Sequence, residues 1–63
     1  MPKPEMNQAK IIARLEAEGW TFHRHGGDHD LYIHRDRGMV AVPRHRTLSP
    51  GVARAIARQA GWI

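Results

Sequence analysis

The sequence predicts a small α+β domain in the order α-β-β-β-α, with a three-stranded antiparallel sheet and both helices on one face. Three observations predict it. Apolar residues recur at helical spacing near both ends of the chain, they alternate with polar residues in the middle, and glycine-containing turns separate the alternating segments. Two amphipathic helices that cover the apolar face of such a sheet would form a two-layer sandwich.

The first helix is predicted from Asn7, whose side chain can cap it, to about Glu18. Gly19 then supplies a left-handed residue, so that Trp20 can fold back onto Leu15. The inward stripe of this helix is Ile11, Ile12 and Leu15. Residues 1–5 are polar and proline-rich and predict a flexible lead, so residues 6–63 are predicted to form the single domain.

Three alternating segments predict the strands, and turns at residues 26–28 and 35–38 separate them. The predicted strands are Trp20–His25, His29–Arg35 and Met39–Val42. In the second strand Leu31 and Ile33 share one face, and Tyr32 shares the other with two polar neighbours. The apolar count puts Leu31 and Ile33 on the core side, but the sequence leaves open which face carries His29.

Ser49 and Pro50 predict the start of the second helix, because a capping hydroxyl is followed by proline at the first helical position. This helix is predicted to run to about Ala60, with Val52, Ala55 and Ile56 facing inward. The full predicted core is Ile11, Ile12, Leu15, Trp20, Phe22, Leu31, Ile33, Val40, Val42, Leu48, Val52 and Ile56.

The composition favours an intracellular protein that binds nucleic acid. The 63 residues carry a net charge of +4, and eight of the ten basic residues are arginine, whose planar fork matches phosphate geometry. A cationic surface without such a partner is the alternative. The absence of cysteine excludes disulfides and thiolate metal sites and favours the cytoplasm, and no apolar run is long enough to span a membrane.

A basic loop and the exposed side of the second helix could together bind phosphates, although an ordinary solvated surface is the alternative. The loop precedes a helix N-terminus, where backbone amides point at bound anions. Gly27 lies in a tight turn that a phosphate could approach closely. The candidate RNA-binding residues are Gly27, Arg44, His45, Arg46, Arg54 and Arg58.

Five histidines are candidates for acid–base chemistry, since imidazole titrates near neutral pH. His23 and His25 could pair on one side of a strand as metal ligands, but no third ligand has a suitable spacing. We therefore expect no metal site and no cofactor. His29 differs from the others, because it begins a strand directly after a glycine turn, which is a rigid position for a catalytic group.

Several short motifs follow one another across residues 6–63, and one of them pairs Gly27 and His29 with the aromatic Tyr32. The motifs are Glu18-Gly19-Trp20, Gly27-Asp28-His29-Asp30-Leu31-Tyr32, Val40-Ala41-Val42-Pro43-Arg44-His45, Ser49-Pro50-Gly51-Val52 and Arg58-Gln59-Ala60-Gly61. In their order and spacing they resemble those of the HicA-type toxins of HicBA toxin–antitoxin systems.

The resemblance implies a double-stranded-RNA-binding-like fold and a metal-independent mRNA interferase. It also implies that a HicB-like antitoxin inhibits the enzyme by covering its active site. The family's catalytic histidine corresponds to His29. Asp28 stands where the family has serine, and its carboxylate could raise the basicity of the histidine or repel a phosphate.

Two main hypotheses follow from the sequence, beside a third in which the chain is a protein-interaction domain that sequesters an antitoxin or is sequestered by one. The first is an endoribonuclease in which His29 takes a proton from the RNA 2′-hydroxyl and arginines stabilise the phosphate charge, with His45 or His25 as the acid. The alternative is a non-catalytic module of the same fold that binds duplex RNA by shape and phosphate contacts. The sequence leaves the oligomeric state open.

Overall fold

The computed structural model describes residues 4–63 and contains the five predicted elements with small shifts at their ends. Residues 1–3 of the predicted lead lie outside the described residues, and Pro4 and Glu5 are in neither helix nor strand. The elements are α1 (Gln8–Ala17), β1 (Thr21–Gly26), β2 (His29–His34), β3 (Gly38–Pro43) and α2 (Pro50–Gln59).

The strands form one antiparallel sheet in the order β1-β2-β3, and both helices pack on the same face of it. One cluster of buried side chains joins the two layers, which confirms the predicted sandwich. We refer to the sheet face in this cluster as the covered face and to the opposite one as the open face. The cluster comprises Ile11, Leu15, Trp20, Tyr32, Val40, Val42, Leu48, Ala53, Ile56 and Ala60.

Both helices end in the same way, as the glycine–tryptophan sequence after each one predicts. Gly19 and Gly61 have positive φ angles of 96° and 83°. The backbone N–H of Trp20 then donates to the Leu15 carbonyl at 3.0 Å, and that of Trp62 donates to the corresponding carbonyl of α2 at 2.7 Å. These are Schellman caps, which satisfy carbonyls that the helix leaves without partners.

The C-terminus is held against α1 by its tryptophan. The indole N–H of Trp62 donates to Glu18 Oε1 at 2.7 Å, and Arg14 Nε donates to Glu18 Oε2 at 3.0 Å. The Arg14 guanidinium also lies 4.2 Å from the centre of the Trp62 ring. The hydrogen bond from Trp62, with the one from Arg14, lowers the pKa of Glu18 below its ordinary value.

The prediction of which face of β2 enters the core was wrong. Tyr32 is buried on the covered face, whereas Ile33 is 37% exposed on the open face; Leu31 is buried but belongs to the open face as well. The reason is the register with β3, which places Tyr32 opposite Val40. Counting apolar residues in β2 alone missed this, because the alternation of β3 decides which face the helices cover.

The inward side of α2 was also predicted incorrectly in part. Ile56 is buried as expected, but Val52 is 37% exposed and Ala55 is exposed. The buried residues are instead Ala53, Ile56, Ala57 and Ala60, which follow helical spacing. Small alanine side chains let the helix approach the sheet closely, so the stripe with fewer large residues faces inward.

Two further predicted core residues are less buried than expected. Ile12 is half-buried against the core cluster. Phe22 pairs with Tyr32 and meets its ring edge-on, with the ring centroids 5.9 Å apart, but it is 47% exposed. Because β1 is an edge strand, the helices do not cover Phe22 fully.

One substitution on each face of β2 tests this assignment of faces. We expect Tyr32→Ala to lower the free energy of unfolding by about 3–5 kcal/mol, as large-to-small substitutions of buried aromatic residues do. Ile33→Ala is expected to cost less than about 1 kcal/mol, because its side chain is partly solvated. Urea denaturation measures both, and a larger loss for Ile33→Ala would contradict the assignment of faces.

Candidate functional site

His29 lies on the open face, at the end of the sheet formed by the β1–β2 turn. It pairs with Gly26 and shares its face with Leu31, two residues along β2. A Cβ atom placed on Gly26 would lie 3.1 Å from His29 Nε2 and 3.4 Å from Leu31 Cδ1, so these side chains meet above the glycine. The His29 side chain is 37% exposed, so its ring is accessible while its position is constrained.

The carboxylate of Asp28 accepts a hydrogen bond from His29. Oδ1 of Asp28 lies 3.3 Å from Nδ1 of His29. This hydrogen bond is the main reason that the pKa of Asp28 falls below its ordinary value of 3.8, and the nearby charge of His45 acts in the same direction. Asp28 is therefore ionised at neutral pH and can only accept, which makes Nδ1 the donor.

A second imidazole–carboxylate pair lies on the covered face at the same end of the sheet. Nδ1 of His25 is 2.7 Å from Oδ1 of Asp30, and Asp30 pairs across the sheet with the buried Val42. The His25 ring packs edge-on against Phe22, with centroids 5.0 Å apart. The two pairs are on opposite faces, so the sheet separates His25 from His29.

Arg44 joins the end of β3 to the β1–β2 turn. Its guanidinium donates to the Gly27 carbonyl, and its Nε lies 3.7 Å from Asp30 Oδ1. Its backbone N–H donates to the Asp28 carbonyl at 3.0 Å. Arg44, predicted to bind RNA, thus holds the turn that carries Asp28, while 45% of its side chain remains exposed.

Gly27 keeps the outer side of this turn open. Its φ angle of +69° is one that side-chain-bearing residues rarely adopt, and within residues 4–63 no atom other than those of its two chain neighbours lies within 4 Å of a Cβ built on it. The turn beside His29 is therefore open to solvent at this glycine.

The structure does not bring all the predicted RNA-binding residues together. Gly27, Arg44 and His45 are near His29, because Arg44 contacts the turn and the charge of His45 reaches Asp28. Arg54 and Arg58 are exposed on α2, in the helical layer and therefore on the other side of the sandwich from the open face. Arg46 is exposed in the loop, where its carbonyl accepts from Gln8 N–H at 3.0 Å.

Arg24 is a candidate that sequence reasoning missed. The register of β1 shifts between Phe22 and Arg24, so that Arg24 pairs with Leu31 on the open face. Regular alternation from Phe22 would have put Arg24 on the covered face with Tyr32. Nothing in the sequence marks this β-bulge, which turns an exposed arginine toward the same face as His29.

Two of the remaining histidines have other surroundings. His34 Nε2 donates to the Glu18 carbonyl at 3.1 Å, and its Nδ1 accepts from Asp36 N–H at 3.0 Å, so it links the sheet to the end of α1. His23 lies at the register shift of β1. Within residues 4–63, no group of three or more histidine or acidic side chains is arranged to hold a metal ion.

Comparison with known families identifies the class of this protein as a toxin of a toxin–antitoxin system. The family described as "HicA toxin of bacterial toxin-antitoxin" matches residues 9–62 of the 63-residue chain. The chain belongs to the HicA toxin family, whose members are generally ribonucleases that act with an antitoxin partner. No curated protein shows a significant match. Neither described helix has the length and hydropathy needed to cross a bilayer.

The contact between Asp28 and His29 can be measured directly. We expect the Asp28 carboxyl to titrate below 3.8 in the wild type and to return towards 3.8 in His29→Ala, which lacks the hydrogen bond. Because folding lowers this pKa, the contact stabilises the fold above pH 3.8, and this contribution is lost as the pH falls through the folded-state value. Carboxyl ¹³C NMR gives the midpoint; an identical midpoint in both proteins would contradict the contact.

Proposed function

We propose that this HicA-family protein is a metal-independent endoribonuclease that cleaves mRNA in the cytoplasm, with His29 as its general base. One observation carries the proposal: His29 presents a partly exposed imidazole on the open face, with Nδ1 already engaged by Asp28. The other ring nitrogen, Nε2, is then the one that can accept a proton. We take residues 6–63 as the single domain that performs this reaction.

In the proposed reaction the RNA supplies its own nucleophile. His29 Nε2 removes the proton from a 2′-hydroxyl, and that oxygen attacks the adjacent phosphorus. The bond from phosphorus to the 5′-oxygen breaks, and the leaving oxygen takes a proton from a general acid, for which His45, exposed in the loop that follows β3, is the candidate. The products are a 2′,3′-cyclic phosphate and a 5′-hydroxyl. Because the attack is intramolecular, its effective concentration is high, and neither a metal-bound hydroxide nor another cofactor is needed.

The negative charge on the phosphate oxygens in the transition state must be stabilised by a cation on the open face. Arg24 fits this role, because it is exposed and lies on the face that carries His29. Gly27 would admit the phosphate to the turn. Arg46, Arg54 and Arg58 would contact phosphates farther along a longer RNA that passes around the edge of the sandwich, and Arg44 would hold the turn as well as contribute charge.

The proposed inhibitor is a HicB-like antitoxin that covers the open face at His29. Exclusion of RNA from this face would stop cleavage without any change in the fold. The alternative function, a non-catalytic module for duplex RNA, is favoured by one observation: Arg54 and Arg58 lie in the helical layer, away from His29. Binding through that layer would not require the histidine.

Replacement of His29 separates the two functions. We expect His29→Ala to abolish growth arrest and RNA cleavage while the protein remains folded, since the side chain is outside the core cluster. General-base catalysis typically contributes ~10²–10⁴-fold, so cleavage should fall by at least about 100-fold. The matched control is His23→Ala, which removes an exposed imidazole from the same sheet. A fully toxic His29→Ala variant would leave only the binding function.

The chemistry of the cut is tested with a single 2′-deoxy nucleotide at the scissile position, in buffer that contains EDTA. We expect the all-RNA oligonucleotide to be cleaved to a 2′,3′-cyclic phosphate and the deoxy substrate to resist, because it lacks the nucleophile. Mass spectrometry identifies the chemical groups at the ends of the cleavage products. Cleavage of the deoxy substrate, a 5′-phosphate product or restoration of activity only by added metal would each contradict the mechanism.

A further inference from the structure

Asp28 is held in place from both its backbone and its side chain. Its carbonyl accepts from the Arg44 N–H at 3.0 Å, and the Arg44 guanidinium binds the preceding carbonyl, that of Gly27. The end of β3 therefore fixes the turn. The Asp28 side chain is 90% exposed, and its Oδ1 lies 3.3 Å from Nδ1 of His29.

The other end of the His29 ring rests above the sheet backbone. The position that a Cβ of Gly26 would occupy is 3.1 Å from Nε2, which is closer than such atoms normally approach. The absence of a side chain at Gly26 therefore provides room for the ring. With Asp28 at Nδ1 and the Gly26 backbone beneath Nε2, both ends of the imidazole are constrained.

These contacts decide which nitrogen carries the proton. A neutral imidazole has a single N–H, and the hydrogen bond made by one nitrogen fixes the state of the other. An ionised carboxylate accepts only, so Nδ1 must hold the hydrogen and Nε2 keeps its lone pair. Without such a partner, the neutral side chain in water favours the Nε2–H form, which has no lone pair at Nε2 to act as a base.

We propose that Asp28 is a positioning residue for RNA cleavage, which holds His29 as the Nδ1–H tautomer and leaves Nε2 to take the proton from the 2′-hydroxyl. This proposal rests on the proposed ribonuclease function. Asp28 does not itself contact the reacting atoms. Loss of its carboxylate should lower kcat and leave KM nearly unchanged, because RNA would still bind while fewer molecules hold the productive tautomer.

The test combines the tautomer with the kinetics of one transcribed RNA. The proteins are the wild type, Asp28→Ala, Asp28→Glu, whose longer carboxylate can still reach the ring, and the control Asp36→Asn, in the other turn of the sheet. We expect ¹⁵N shifts of neutral His29 to show Nδ1–H in the wild type and Nε2–H in Asp28→Ala. We expect kcat to fall by about 10-fold or more in Asp28→Ala, by analogy with partners that orient ligand histidines, and to recover in part in Asp28→Glu.

The outcomes separate this proposal from the one on which it rests. An active wild type whose tautomer or kcat is the same in Asp28→Ala would overturn the positioning role alone. An equal loss of kcat in Asp36→Asn would also overturn it, since the effect would not be specific to the pair. A wild type that shows the Nδ1–H tautomer but cleaves no RNA would overturn the ribonuclease function, and with it the catalytic purpose of the contact.

Discussion

The pairing register between β2 and β3 is the constraint on which the rest of the structure depends. Tyr32 opposite Val40 places one large aromatic ring and the valines of β3 under the helices. Because side chains alternate along a strand, His29 must then project from the open face. A slip of one residue would move every side chain of β2 to the other face and would turn His29 toward the covered face. The packing that stabilises the fold therefore also exposes the proposed base.

The two imidazole–carboxylate pairs lie on opposite faces of the sheet, at the end formed by the β1–β2 turn, and Arg44 contacts the residues that support both. It contacts Asp30, which binds His25 on the covered face, and it holds the turn that contains Asp28, the partner of His29. One arginine at the end of β3 thus supports both imidazole–carboxylate pairs. Its position explains how a turn with glycine at position 27 can still hold an ionised side chain in a defined orientation.

The β-bulge in β1 decides which arginine lies on the same face as His29. By shifting the register after Phe22, it leaves the aromatic ring on the covered side and brings Arg24 to the open face. The proposed cleavage site therefore obtains its cation from a local irregularity of an edge strand. The arginines of α2, which are more prominent in the sequence, lie in the other layer.

The sequence by itself determined the five elements and placed their ends to within about one residue, because capping residues and glycine–tryptophan helix ends act over a few neighbouring residues. It also placed His29 at the start of a strand after a glycine turn, and its short motifs indicated the family. Tertiary structure alone decided which face of β2 is covered, which side of α2 faces inward and which arginine accompanies His29. These depend on register, on a bulge and on how closely alanines let two layers approach, and each is set by contacts between residues distant in the chain.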